Sequence, residues 1–208
     1  NSYCENYLLT LGNKAAMLAR LKQEGFRVPS AYCLPAAIYH EFLKATGIAS
    51  FINMELQRKD FNDMRWEEIW DVSLRIRNHF VTRSWPEGLG MRLCSDIENI
   101  TADWSAAAVR STAPGEDSAT QSFAGLHESR LMLRKTAEIL DAIRTVWASL
   151  WSDGALLYRQ ELNLDPGKSS MAVILQEMVV GDVSGVLFSR APQNRNVMMV
   201  EAVWGLNQ

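Results

Sequence analysis

A chain of 208 residues that is 48% hydrophobic and 22% charged has the composition of a globular protein, which argues against the fibrous, disordered and membrane classes. At this length roughly 70% of the unfolded surface can be buried, so a core forms without a disulfide or metal brace. The 21 basic and 24 acidic side chains leave a net charge of -3, which gathers no nucleic acid, although a nucleoside triphosphate needs only a few converging donors and a metal ion.

Leu8, Leu11, Ala15, Leu18 and Leu21 recur on one helical face, and Gly25 ahead of Val28 and Pro29 ends that helix. A second helix is expected over Ala36–Thr46. Trp66, Ile69, Trp70, Ser73, Ile76 and Phe80 form a further stripe, and residues 91–100 another helix after a gap punctuated by Pro86, Gly88 and Gly90. The tryptophans are expected to follow helical core stripes. From residue 105 the pattern changes: Ala106 to Ser111 reads as a short buried strand that delivers one charged side chain, Arg110, at its end. A strand at Ser129–Leu133 precedes the cleanest amphipathic helix, Ile139, Leu140, Ile143, Val146, Trp147 and Leu150, with Thr136 as its cap. A helix at 154–162 and an antiparallel meander of strands at 171–178, 183–189 and 197–202 complete the chain. The fold class is α+β (mixed α/β), with a mainly helical lobe at 1–104, an α/β lobe at 105–208 and a cleft between them.

Cys4, Cys33 and Cys94 are far apart, with no CxxC pair and no histidine at ligand spacing, and read as free thiols in a reducing compartment. No stretch approaches about 18 uninterrupted apolar residues, and the N-terminal segment lacks a basic start followed by an apolar run, so a cytoplasmic protein without membrane contact is expected.

The chemistry concentrates between Val109 and Gly125. A guanidinium at a strand end offers a planar fork to phosphate oxygens, Ser111, Thr112, Ser118, Thr120 and Ser122 add hydroxyls, and Gly115 and Gly125 let backbone amides approach an anion. The plain alternative pairs Arg110 with Glu116 or Asp117 in a solvated turn. Pro166-Gly167-Lys168-Ser169 ends like a phosphate loop but has Leu162 where the first glycine belongs, and reads as a turn. Asn99-Ile100-Thr101 is a glycosylation sequon only in secreted proteins, and His40 and His79 lack partners at recognisable spacing.

Val-Arg-Ser-Thr-Ala, Glu-Asp-Ser and Ser-Phe-Ala-Gly at this spacing resemble the signature of the ATP-binding domain of pyruvate, phosphate dikinases and phosphoenolpyruvate synthases. The resemblance extends in order through Leu11-Gly12-Asn13-Lys14-Ala15-Ala16-Met17, Gly25-Phe26-Arg27-Val28-Pro29, Ala142 to Leu150, Ala172 to Val179, Ser184 to Ser189 and Glu201 to Leu206, and is poor only at 48–103. It implies an ATP-grasp-like domain that holds ATP with Mg2+ and passes phosphate to a carrier histidine on another domain, releasing AMP, with pyruvate as a final acceptor. Lys14 matches a phosphate-contacting lysine, although Asn13 and Ala15 stand where the family has glycines; a surface lysine is the alternative. Arg110 matches the arginine on the transferred phosphates and would be the catalytic residue. Ser111, Thr112 and Gly125 fit the phosphate cover. Gln176 matches the polar contact to the adenine, with Glu177 and Met178 as backbone and packing contacts, and a plain core strand is the alternative. Glu201 would reach the ribose or pair with a structural arginine. The resemblance implies that metal ligands and the carrier histidine lie outside this chain, which is then truncated; His127 keeps a local structural role. A degenerate nucleotide-binding module without catalysis, and a relative with a rifamycin or glucan acceptor, are the rival readings.

Overall fold

The computed structural model describes residues 2–113, 117–118, 121–122, 125–191, 194 and 196–206. Helix α1 (Ser2–Gln23) is broken at Gly12, which takes φ 77° and ψ 165° between two helical segments. Strand β1 (Ala31–Leu34) leads into α2 (Ala36–Thr46), which ends at Gly47 in the left-handed region at φ 74°, and α3 (Ile48–Gln57) starts at once. Helix α4 (Trp66–Thr82) buries Ile69, Val72, Ser73, Ile76 and Phe80. Helix α3 turns Ile48, Phe51, Ile52 and Leu56 to the core and buries Glu55 beside them, whose charge Arg75 of α4 meets at 2.8 Å. Trp66 and Trp70, expected within the core stripe of α4, are 65% and 53% exposed. Trp70 lies one residue, or about 100°, round the helix from Ile69 and falls off the buried arc, while Trp66 stands at the first helical position.

Helix α5 (Glu87–Thr101) begins earlier than expected and includes Gly88 and Gly90. A Cβ at Gly90 would meet the Trp85 Cβ at 2.9 Å, so the missing side chain lets Trp85 fold back over the first turn. Strand β2 (Ala107–Thr112) is followed by the short pair β3 (Asp117–Ser118) and β4 (Gln121–Ser122), then β5 (Ser129–Leu133). Thr136 is the first residue of α6 (Thr136–Ser149) rather than its cap. The carboxylate of Glu138 takes that task, accepting from the amides of Arg134 and Lys135 at 3.0 and 3.2 Å, and these bonds hold its pKa below the usual carboxylate value. Helix α7 (Asp153–Glu161) is capped by Ser152 and carries the buried Arg159, which donates to the carbonyls of Leu150 and Ala155 at 2.7 and 3.2 Å. Pro166–Lys168 is a single 3-10 turn in which Asp165 accepts from the Gly167 amide.

The last three strands are β6 (Ala172–Glu177), β7 (Val183–Phe188) and β8 (Met199–Trp204). They do not form the expected meander. The chain divides into two compact units, Asn1–Met178 and Val179–Gln208. In the first, β6 lies inside an antiparallel four-stranded sheet of order β1-β6-β2-β5. In the second, β7 and β8 pair with each other. The physical reason is burial: β6 is covered on both faces, whereas β7 and β8 are exposed along nearly their whole length. Alternation along a strand says which side chains share a face, but not which distant strand completes the ladder. Gly185 sits opposite Ala202, and a Cβ at Gly185 would lie 2.6 Å from the Glu201 carbonyl, so this crossing is built for glycine.

In the first unit, Leu34, Ala107, Val109, Val173 and Leu175 face the helical core with Phe42, Phe80, Ile143 and Trp147. Trp147 is fully buried, with ring centroids at 5.7 Å from Tyr39, 5.3 Å from Phe42 and 5.7 Å from Trp85. Its indole N–H finds no acceptor among the described residues, so its contribution is volume and ring packing. Trp147→Ala should therefore lower the unfolding free energy by about 3–5 kcal/mol in urea denaturation, and Trp147→Phe, which keeps an aromatic ring and loses no hydrogen bond, by clearly less.

Candidate functional site

Directly opposite residues of an antiparallel pair share a face of the sheet. Arg110 lies opposite Ile174, and Ala108 opposite Gln176; Ile174 and Gln176 in turn lie opposite Cys33 and Ala31. Arg110, Ile174, Gln176, Cys33 and Thr112 therefore look out of the face turned away from the helical core. Gln176 is the diagonal neighbour of Arg110, at about 7–8 Å between backbones. Strand β2 is buried at every position except Arg110. The guanidinium leaves the sheet for solvent and makes no hydrogen bond or ion pair among the described residues. Its neighbour Arg130 is held by Glu128 at 3.1 Å instead.

The same face carries α1. The break at Gly12 ends one helical segment, and Lys14 is exposed in the first turn of the next, where unpaired amides favour an anion. Thr112, two residues beyond Arg110 along β2, donates its hydroxyl to the Leu11 carbonyl at 2.7 Å and accepts from the Ala15 amide at 3.4 Å. Gly12 is packed so closely that a Cβ would stand 2.6 Å from the Thr112 Oγ1 and 2.9 Å from the Ala113 carbonyl carbon. Lys14, Arg110 and Gln176 are thereby brought to one side of one sheet. A cleft of about 210 Å3 opens there between α1 and strands β1 and β6, lined by Leu11, Ala15, Leu18, Tyr32, Cys33 and Ile174 among others. The walls of this cleft include Ile174, between Arg110 and Gln176 on the sheet, but none of Lys14, Arg110 and Gln176 themselves, and a broader, shallower depression of about 660 Å3 against α7 includes none of them either.

Other expected positions differ in detail. Ser111 and Thr112, read from the sequence as hydroxyls of a loop, belong to β2 and are 3% and 1% exposed. Glu177 and Met178, read from the sequence as backbone and packing contacts, donate their amides to the carbonyls of Ser30 and Ala106 at 2.8 and 2.9 Å. The side-chain amide of Gln176, 9% exposed, makes no hydrogen bond among the described residues. Gly125 holds an exposed turn at φ 78° that needs glycine. Just after it the chain is tied to the end of α6, with the His127 Nδ1 3.4 Å from the Ser149 carbonyl and the Glu128 amide donating to the Ser149 hydroxyl at 3.0 Å. Gly115, Glu116 and Thr120, and the side chains of Asp117, Ser118 and Ser122, lie outside the described residues. Glu201 is in the second unit, exposed on β8 opposite Val186, and makes no ion pair among the described residues. Sequence reasoning missed the inward role of Thr112; the glycine inside an otherwise helical pattern at position 12 was the available signal.

Residues 8–208 match the family model described as pyruvate phosphate dikinase, AMP/ATP-binding domain. The chain belongs to this family. Among the relatives of this dikinase-family chain, a probable phosphoenolpyruvate synthase of Methanothermobacter thermautotrophicus is 33% identical over 95% of the chain and 29% of the relative. The phosphoenolpyruvate synthase of Aeropyrum pernix is 33% identical over 98% of the chain and 26% of its own length. A rifampicin phosphotransferase of Streptomyces sviceus is also 33% identical, over 98% of the chain and 24% of the relative. The dikinase-family chain thus spans less than a third of each of these relatives. Among its described residues no group of His, Cys, Asp and Glu could hold a metal ion, and no helix is long and apolar enough to cross a membrane.

Burial lifts the Cys33 thiol in the cleft to about 12. The neutral thiol is the form the fold favours, so its contribution to stability is full below the ordinary thiol range and declines as pH rises towards that value. Alkylation by iodoacetamide, followed by mass spectrometry of the Cys33 peptide, should be more than tenfold slower at pH 8 than for a free cysteine and should accelerate continuously towards about pH 12.

Proposed function

We propose that this chain is the ATP-binding part of an ATP-dependent phosphotransferase, with the triphosphate against Lys14 and Arg110 and the base towards Gln176. The observation that carries the reading is Arg110: the one exposed position of an otherwise buried strand, on the same sheet face as a restarted helix bearing Lys14 and beside the buried Gln176 amide, which has no partner among the described residues. An exposed guanidinium and a helix start favour phosphate oxygens, and Gln176 offers one donor and one acceptor group to a base edge. The fit to a nucleotide is therefore chemical as well as positional. In an ATP-grasp-like arrangement the helical lobe at 1–104 and the α/β lobe at 105–208 close on the nucleotide, and the turn at Gly125 covers its phosphates.

ATP, when bound, supplies the phosphoryl group. Arg110 and Lys14 hold its oxygens and lower the cost of spreading negative charge as the group departs. Ligands for Mg2+ would come from elsewhere in a longer protein, as the family resemblance implies. The relatives are several times longer, which leaves room for the whole enzyme that the family resemblance implies, in which a carrier histidine of another domain receives the phosphate and AMP is released. Pyruvate is the acceptor suggested by the synthases. A rifamycin-type acceptor is the second reading, favoured by a rifampicin phosphotransferase of equal identity. The free thiols of Cys33 and Cys94 support a reducing, cytoplasmic setting.

Because a charge-assisted contact is worth about 1.5–3 kcal/mol, Arg110→Ala should weaken ATP binding roughly ten- to a hundredfold in calorimetry. Equal affinity for both proteins would remove Arg110 from the site. Incubating the whole enzyme with ATP and its acceptor should yield AMP by chromatography; ADP as the sole nucleotide product would point to a simple kinase.

A further inference from the structure

In an unbroken helix the Ala15 amide would donate to the carbonyl of Leu11, four residues back. Here the hydroxyl of Thr112 stands in that bond, giving its proton to the Leu11 carbonyl at 2.7 Å and taking the Ala15 amide at 3.4 Å. A side chain inserted into the ladder is a recognised cause of a helix kink, and Gly12 absorbs the kink at φ 77° with no room for a Cβ against Thr112 and Ala113. The inserted hydroxyl belongs to the strand of Arg110, on the same face and two residues on.

We propose that Thr112 is a positioning residue: its hydroxyl holds the break in α1 open and so sets the backbone of Lys14 in register with Arg110 before any nucleotide arrives. The inference rests on the nucleotide reading given above. Lys14 and Arg110 are like charges and cannot hold one another in place, and the anion that would draw both is present only after binding. A neutral donor and acceptor at 1% exposure does what no ion pair can do there. Without the hydroxyl, the Ala15 amide is released to bond the Leu11 carbonyl directly, which rewinds the helix through residue 12 and swings Lys14 away from the strand. Loss of preorganisation then appears as weaker binding.

The test is a double-mutant cycle on ATP affinity by calorimetry in the full chain, with Thr112→Val, which keeps the shape and removes the hydroxyl, and Lys14→Met. Thr112→Val is expected to weaken ATP about tenfold when Lys14 is present and less than twofold when Lys14 is Met, while Thr112→Ser, which keeps the hydroxyl, stays within about threefold of the unsubstituted protein. If Lys14→Met leaves affinity unchanged, the reading of the lysine as a phosphate contact falls and this inference with it. If Lys14→Met weakens binding but Thr112→Val costs the same in both backgrounds, Thr112 is structural only and this inference alone is overturned. Should Thr112→Val not fold, as judged by circular dichroism, Thr112→Cys, with a weak donor of similar size, takes its place in the cycle with the same expectations.

Discussion

The amide of Ala15 and the carbonyl of Leu11 are separated by the hydroxyl of Thr112, and much of the proposed site follows from that single insertion. It breaks α1, places Lys14 at a helix start instead of mid-helix, and fastens the start to the strand that carries Arg110. The insertion needs a glycine at 12, because any side chain would run into the hydroxyl that causes the break. Two polar groups of a buried turn are satisfied by one side chain, so the kink carries no unpaired amide or carbonyl at that point.

The sheet divides the labour between its faces. One side packs Val109, Val173 and Leu175 into an aromatic core around Trp147, where Tyr39 accepts from the Trp151 indole at 3.0 Å. The other side presents Arg110, Ile174 and Gln176 with α1 over them. A strand buried in the core fixes the backbone of the charged residue it delivers, so the guanidinium starts from a rigid base even though its own atoms reach solvent. This separation lets the same short strand serve stability through Ala107 and Val109 and polar chemistry through Arg110.

The second unit is a different kind of structure. Its β7–β8 hairpin leaves Leu187, Val200 and Trp204 62%, 66% and 87% exposed, so its order comes chiefly from the ladder, the glycine crossing at Gly185 and the Ser184 hydroxyl donated to the Gly205 carbonyl. Membership of the dikinase family accounts for the order of motifs along 8–208, and a phosphoenolpyruvate synthase and a rifampicin phosphotransferase match the chain at the same 33% identity.

Local chemistry was legible in the residues themselves. The spacing of Ile139, Ile143, Val146 and Trp147 specified α6, the bounds of α2 and β5 followed from their flanking residues, and the motif around Arg110 pointed to the family. Helix α3 was missed although Ile48, Phe51, Ile52 and Leu56 recur at helical spacing; what the sequence could not show is that Glu55 is buried among them, met by Arg58 in the same segment and by Arg75, twenty residues away. The partners of β6, the separation of β7 and β8 from it, and the inward turn of Thr112 were likewise decided only by tertiary structure. Periodicity reports which side of an element is apolar, a property of neighbours in the chain. Which strand fills a ladder, and whether a hydroxyl meets solvent or a carbonyl 101 positions distant, depends on contacts that form only when remote segments meet.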